Sequence, residues 1–100
     1  MMIVRMFLST MTPEDVEEVV RLFEDARAVF AAQPECLGIE LILSPEQNVA
    51  GNIEGGAISR WTSLEGMEEA FERTEVQESR ARILKLLRRE PVVKIYEVRT

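Results

Sequence analysis

Two arginines of this sequence stand where a charge is unusual. Arg5 and Arg60 lie inside segments whose apolar residues predict β-strands. A cation in a buried strand needs a partner, which is either a carboxylate of the protein or an anionic oxygen of a bound molecule. Either arginine therefore has the chemistry to hold the enolate of a substrate. The alternative is a cross-strand salt bridge to Glu40 or Glu97, or simple exposure on an edge strand.

Two aromatic residues offer a different kind of contact. Trp61, the only tryptophan, is expected at a strand end, where its ring stacks on a flat ligand or packs in the core. Tyr96, the only tyrosine, carries an O–H that donates to a carbonyl or phenolate oxygen of a ligand, or to a backbone carbonyl. Arg5, Arg60, Trp61 and Tyr96 are thus the candidate substrate-binding residues. The sequence singles out no catalytic residue.

Other reactive groups are scarce. The chain has no histidine and one cysteine, Cys36, which excludes an internal disulfide, a zinc cluster and a thiolate–imidazole pair. Cys36 is expected to serve as a small apolar residue. The basic residues between positions 80 and 89 are expected to complement the negative end of a helix. Without a metal-ligand cluster or a dinucleotide fingerprint, we predict that the protein uses no cofactor and no metal.

Length and composition favour one folded domain spanning residues 1–100. Hydrophobic residues make up 46% of the chain and charged residues 30%, a balance typical of globular proteins. A formal net charge of -6 argues against nucleic acid as a partner. The longest apolar runs are too short to cross a bilayer, and the N-terminus lacks a signal-like segment. We therefore expect a cytoplasmic protein with no membrane partner.

Apolar periodicity predicts the element order β-α-β-β-α-β. Strands are predicted near residues 2–8, 37–43, 57–61 and 92–98, and residues 44–56 read as a long turn. The first helix is predicted to begin at Thr12-Pro13 and end near Gln33-Pro34. A second helical region begins at Thr62 with a capping-box pattern, in which Glu65 reaches back towards Thr62 as the N-cap, and it breaks near Arg73-Thr74. This order is typical of a ferredoxin-like α+β fold, whose antiparallel sheet carries its helices on one face.

The strand pattern also predicts a partner. Helices cover one face of such a sheet, yet the first and last strands carry apolar residues on both faces. An exposed patch of that size exceeds what monomeric proteins usually carry. We therefore predict a homodimer in which a second copy covers the other face, and the alternative is a groove for a ligand.

The element order and two short passages resemble a known family. Residues 33–40 are similar to a Pro-Gly-Cys-x-Gly-x-Glu-like passage, and residues 61–65 to a Trp-x-Ser-x-Glu passage, of the antibiotic biosynthesis monooxygenase-like family. This resemblance implies a dimeric α+β barrel. Members of the family include cofactor-free oxygenases of aromatic polyketides, quinol oxygenases and haem-degrading proteins. The haem-degrading branch binds iron through a histidine in the second helical region, where this chain has Ser79 and Arg80, so haem is not an expected substrate.

Three hypotheses about function stay open at this point. The first is a cofactor-independent monooxygenase that binds a small aromatic or quinol-like substrate in an apolar cavity. The second is a non-catalytic homodimer that binds a small ligand or serves assembly. The third, a proton-transfer enzyme, requires a carboxylate with a raised pKa, to which the sequence does not point.

Overall fold

Four strands form one antiparallel sheet with its helices on one side. A computed structural model describes residues 1–100. The strands are β1 (Ile3–Met11), β2 (Cys36–Leu43), β3 (Ile53–Trp61) and β4 (Val92–Glu97), in the spatial order β2-β3-β1-β4. The helices are α1 (Val16–Ala31), preceded by a short 3-10 turn (Pro13–Asp15), α2 (Leu64–Glu72) and α3 (Thr74–Leu86). The predicted ferredoxin-like α+β fold is confirmed.

Strand β1 alternates strictly between two environments. Its odd-numbered residues, among them Ile3 and Phe7, are buried beneath the helices, and its even-numbered residues are half-buried on the outer face. Arg5 has odd parity and pairs with Ser59 of β3 and with Ile95 of β4. Because directly paired residues share a face, all three belong to the side of the sheet on which the helices pack.

Aromatic rings hold the helices against this sheet. Phe23 and Phe30 of α1 are both buried, and the Phe23 ring meets Phe7 edge to face with centroids 5.8 Å apart. Phe30, Trp61 and Phe71 form a second cluster in which each ring contacts the other two edge to face. Such pairs add packing energy beyond the area that they bury. The cluster joins α1, β3 and α2 at one end of the sheet.

Strands β1 and β3 are both longer than predicted. The sequence suggests a turn up to Gly56, whereas β3 already begins at Ile53, and β1 extends to Met11 instead of ending at Leu8. Gly55 and Gly56 explain why the start of β3 was predicted too late, because glycines usually indicate turns. Here both lie in the β1–β3 ladder, with Gly55 opposite Ser9. A Cβ atom at Gly56 would overlap the carbonyl oxygen of Phe7, so this position requires glycine.

Two smaller expectations were also wrong. Ser63, not Thr62, is the N-cap of α2, and its Oγ accepts a hydrogen bond from the backbone N–H of Gly66 at 2.9 Å. Strict alternation along the strand predicted near residues 37–43 would place Leu37 on the same face as Ile39, but Leu37 lies in an irregularity of β2 between Cys36 and Gly38 and is 57% exposed. A bulge inserts one extra residue, and the simple alternation of faces therefore fails there.

The predicted break between the second and third helices is confirmed and is stabilised by an ion pair. Arg73, between α2 and α3, donates two parallel hydrogen bonds to the Glu35 carboxylate, each 2.8 Å long, and a third to Gln33 Oε1. These contacts tie the helix junction to the turn that precedes β2. Hydrogen bonds from Arg73 are the main reason that the pKa of Glu35 falls from 4.5 to about 2.

We expect this pair to make stability sensitive to acid. The folded carboxyl has a lower pKa than the unfolded one, so it stabilises the fold above about pH 4.5, and that contribution is lost as the pH falls through about 2. Arg73→Gln should lower the urea midpoint at neutral pH and flatten its decline over this acid range. Arg21→Gln, which alters an exposed pair with Glu18, is the control. Identical acid profiles for Arg73→Gln and the wild type would contradict the assignment.

Candidate functional site

A narrow cavity lies between the sheet and the helices α1 and α3. Its walls are mostly apolar and include the rings of Phe7, Phe23 and Phe30, with aliphatic side chains from β2 and α3. The free volume is about 30 Å³, which is room for about two water molecules. A ligand with an aromatic ring would therefore enter only if side chains of the lining move outwards.

Three polar side chains line this cavity: Arg5 of β1, Ser59 of β3 and Arg80 of α3. Arg5 is only 6% exposed, and neither arginine belongs to any of the protein's ion pairs. The Nε atom of Arg80 is buried and has no hydrogen-bond partner. Ser59 Oγ accepts a hydrogen bond from Trp61 Nε1 at 2.9 Å, so its own proton is directed elsewhere. Each polar side chain of the cavity can donate a hydrogen bond, and none is a carboxylate.

An aromatic ring supports both guanidinium groups. The Arg5 Cζ atom lies 4.5 Å from the centroid of the Phe71 ring, and the Arg80 Cζ atom lies 5.1 Å from it. These cation–π contacts offset part of the cost of burying charge. Burial, with a smaller contribution from the positive charge of Arg80, lowers the pKa of Arg5 from its usual value to about 10. Arg5 is therefore still positively charged at neutral pH.

The structure separates the two arginines that the sequence singled out. Arg5 lies in the cavity, whereas Arg60 belongs to the outer face, where it pairs with Val4 of β1 and forms a salt bridge with Glu40. The salt bridge that the sequence offered as an alternative is thus the one observed for Arg60. The physical reason is parity: position 60 is one residue away from Ser59, so its side chain points to the other side of the sheet.

The two aromatic candidates also lie outside the cavity lining. Trp61 is completely buried and packs between Phe30 and Phe71, which is the core role that the sequence offered as an alternative to ligand stacking. Tyr96 pairs with Val4 on the outer face and is 50% exposed. Trp61 nevertheless influences the site through Ser59, since its indole N–H donates a hydrogen bond that orients the Ser59 hydroxyl.

Sequence reasoning missed Arg80 and Ser59. The arginine was assigned to the basic end of a helix, yet it lies between Val76 and Ile83 at a spacing of four and three residues. Residues at such spacing share one face of a helix, and both neighbours are buried. The signal that could have revealed Arg80 is therefore a cation that interrupts an apolar stripe.

The remaining reactive groups contribute little to the site. Burial raises the pKa of the Cys36 thiol, which makes it a poorer nucleophile at neutral pH. No group of three or more acidic or cysteine side chains is placed to hold a metal ion. No helix combines the length and the apolar composition needed to cross a membrane.

Residues 1–82 match the sequence profile of the antibiotic biosynthesis monooxygenase family. The chain belongs to this family. The matched residues include Arg5, Ser59 and Arg80, so the whole polar lining of the cavity lies within the antibiotic biosynthesis monooxygenase region. Strand β4 lies outside it. No curated protein is a significant match by sequence.

Solved structures of several proteins share the antibiotic biosynthesis monooxygenase fold seen here. SnoaB, a cofactor-independent oxygenase from Streptomyces nogalater, is 17% identical with a TM-score of 0.75, over 99% of this chain and 94% of that one. A Mycobacterium tuberculosis protein is 15% identical with a TM-score of 0.77, over 100% and 97%. A conserved protein from Methanosarcina mazei is 15% identical with a TM-score of 0.78, over 98% and 93%. At these identities the likeness shows the fold and not the substrate.

Proposed function

We propose that this protein is a cofactor-independent monooxygenase that acts on a small aromatic or quinol-like substrate in the cavity between sheet and helices. One observation carries the proposal: in a chain of this family, the cavity has apolar walls that include three phenylalanine rings, and its polar side chains are two arginines and a serine with no carboxylate. Such a lining suits a flat, electron-rich molecule that bears a negatively charged oxygen.

The reaction needs no redox group from the protein, because the substrate supplies the electrons. A phenolate transfers an electron to dioxygen, and the two radicals combine to form a carbon–oxygen bond at a ring carbon that carries hydrogen. Protonation gives a hydroperoxide, and its O–O bond breaks as that carbon loses its hydrogen. One oxygen atom remains as a new carbonyl, the other leaves as water, and the phenol becomes a quinone.

The protein's contribution is position and electrostatics. The apolar walls exclude water and orient the ring, while Arg5, Ser59 and Arg80 donate towards the oxygen on which negative charge resides. None of these side chains can accept the substrate's proton at neutral pH. The substrate must therefore lose its proton to water, and the two cations favour the ionised form.

Oxygen consumption by chelator-treated protein tests this function. The protein would be mixed with a panel of hydroquinones and polycyclic phenols, and oxygen uptake and quinone formation would be followed together. We expect turnover without added metal, flavin or nicotinamide, with one quinone formed for each dioxygen consumed. If no substrate of the panel raises oxygen uptake above the uncatalysed rate, the proposal is wrong.

A second candidate function is the non-catalytic binding of a small ligand. The observation that favours it is the lack of any side chain in the cavity that could act as a general base. Saturable quenching of Trp61 fluorescence by aromatic ligands, with no oxygen uptake, would favour this alternative. The third hypothesis, a proton-transfer enzyme, has no support at this cavity, because no carboxylate lines it.

We propose further that two copies of the chain associate through the outer face of the sheet. This face carries the half-buried apolar side chains Val4, Met6 and Leu8 of β1. Strand β4 next to it is exposed along its whole length, and its Val92 and Tyr96 lie on the same outer face. A second sheet would remove this apolar surface from water, which favours association in proportion to the buried area.

We expect sedimentation equilibrium at micromolar concentration to give the mass of a dimer. Met6→Glu, which puts a charge at the centre of the outer face, should shift the equilibrium towards monomer. Ala28→Glu adds the same charge to an exposed position of α1 and should leave the dimer intact. A monomeric wild type would contradict the proposed association.

A further inference from the structure

Two positive charges share the cavity without any negative charge to balance them. This is unexpected in a chain with 18 acidic and 12 basic residues, where a carboxylate partner is easily found. Buried arginines normally pair with a carboxylate or with several hydrogen-bond acceptors. Arg73, at the helix junction, illustrates the usual arrangement, with three hydrogen bonds to acceptors. Arg5 and Arg80 lack such partners.

The two arginines also repel each other. Arg80 is one of the two causes of the lowered pKa of Arg5, which shows that the groups are close enough to interact. Both lie against the same ring, that of Phe71. A pair of like charges in an apolar pocket costs free energy, and a bound anion would relieve that cost by interacting with both cations at once. The buried and unpartnered Nε atom of Arg80 is a donor that such an anion could satisfy.

We propose that Arg5 and Arg80 together form an anion-binding site, and that the ligand of this cavity is an aromatic molecule whose negatively charged oxygen lies between the two guanidinium groups. Ser59, directly opposite Arg5 in the β1–β3 ladder, donates a third hydrogen bond to this oxygen. The charge is supplied by an ionised ring hydroxyl or by a carboxylate substituent. The inference rests on the proposed function in taking this cavity as the substrate site.

Binding under nitrogen tests the site without depending on turnover. The first probe is 4-nitrophenol, whose hydroxyl ionises near neutral pH and whose phenolate absorbs visible light. Titration with wild-type protein should increase the phenolate absorbance, because two nearby cations lower the ligand's apparent pKa by about one unit or more. Arg5→Gln and Arg80→Gln should each abolish most of this increase. Arg82→Gln, an exposed arginine on the same helix, should preserve it.

The second probe is a pair of matched ligands, benzoate and benzamide, measured by calorimetry. They have nearly the same shape, and only benzoate is charged. If carboxylates are accepted, benzoate should bind on the order of tenfold more tightly or better, and the preference should disappear in Arg80→Gln. A phenolate response without a preference for benzoate would identify the ring hydroxyl as the source of charge, and the anion site would stand.

Several outcomes would overturn the anion site. These are the absence of saturable binding by both anionic probes, an unchanged ionisation of bound nitrophenol together with no preference for benzoate, or full retention of both effects in Arg5→Gln and Arg80→Gln. Should Arg5→Gln fail to fold, the partly exposed Arg80 still provides the test. Anion binding without oxygen uptake by any phenol would remove the proposed monooxygenase activity and leave this site intact, so the two failures are distinguishable.

Discussion

Arg5→Met should make the unliganded protein more stable. The pKa of Arg5 is lowered from its usual value to about 10, mainly by burial, which means that holding this charge in the fold costs free energy. A shift of this size corresponds to about 3 kcal/mol, since one pKa unit is worth about 1.4 kcal/mol. The cation–π contact with Phe71 is lost in the variant, and this loss reduces the gain in stability. We therefore expect the free energy of unfolding to rise by about 1–3 kcal/mol.

The same substitution should remove the binding of aromatic anions. Methionine fills much of the volume of the arginine stem and leaves the cavity apolar, but it cannot donate to an oxygen. Urea unfolding and nitrophenol titration on one preparation would measure both effects. Arg82→Met, at an exposed site, should change stability by less than about 0.5 kcal/mol.

A gain in stability together with a loss of binding would mark Arg5 as a residue kept for function at the expense of the fold. A loss of several kcal/mol in Arg5→Met would instead show that Arg5 stabilises the core through its contacts with aromatic rings. Its role as a binding residue would then need the nitrophenol titration of Arg80→Gln as independent support.

Gly56→Ala should destabilise the protein strongly. The added Cβ atom would overlap the Phe7 carbonyl oxygen, and it would lie 2.8 Å from the Phe7 carbonyl carbon and 3.1 Å from Leu8 Cα. All three are backbone atoms of β1, so no side-chain rotation relieves the overlap. The strands must separate or shift, at a cost of about 3 kcal/mol or more. Because Phe7 and Ala57 both line the cavity, the shift should also disturb ligand binding.

Gly38→Ala is a matched control for this effect. Gly38 also lies in a strand, but a Cβ atom there would have no heavy atom within 4 Å. Its substitution should be close to neutral or slightly stabilising, because alanine restricts the unfolded chain more than glycine does. Urea unfolding of the two variants and the wild type measures the difference. Equal midpoints for both variants would show that β1 and β3 do not require this close approach.

Local patterns in the sequence were sufficient for the order of the elements and for the fold class. Apolar spacing of two or of three to four residues depends only on neighbours along the chain, and it located every strand. A helix-start signal at Thr74 located the break at Arg73. The element order and the two short passages at residues 33–40 and 61–65 were together sufficient for the family, which the match over residues 1–82 confirms. Strand ends were less predictable, because Gly55 and Gly56 favour turns locally but pair with β1 in the sheet.

The tertiary structure alone decided which charged residues meet. Arg5 and Arg60 look alike in the sequence, yet register places Arg5 beneath the helices and Arg60 on the outer face beside Glu40. The sequence did not reveal that Arg80 lines the cavity, because its closeness to Arg5 depends on how α3 packs over the sheet. That side chains of a strand alternate between two faces follows from the chain itself. Which of the two faces is buried depends on residues distant in sequence, and the candidate site is formed on the buried face.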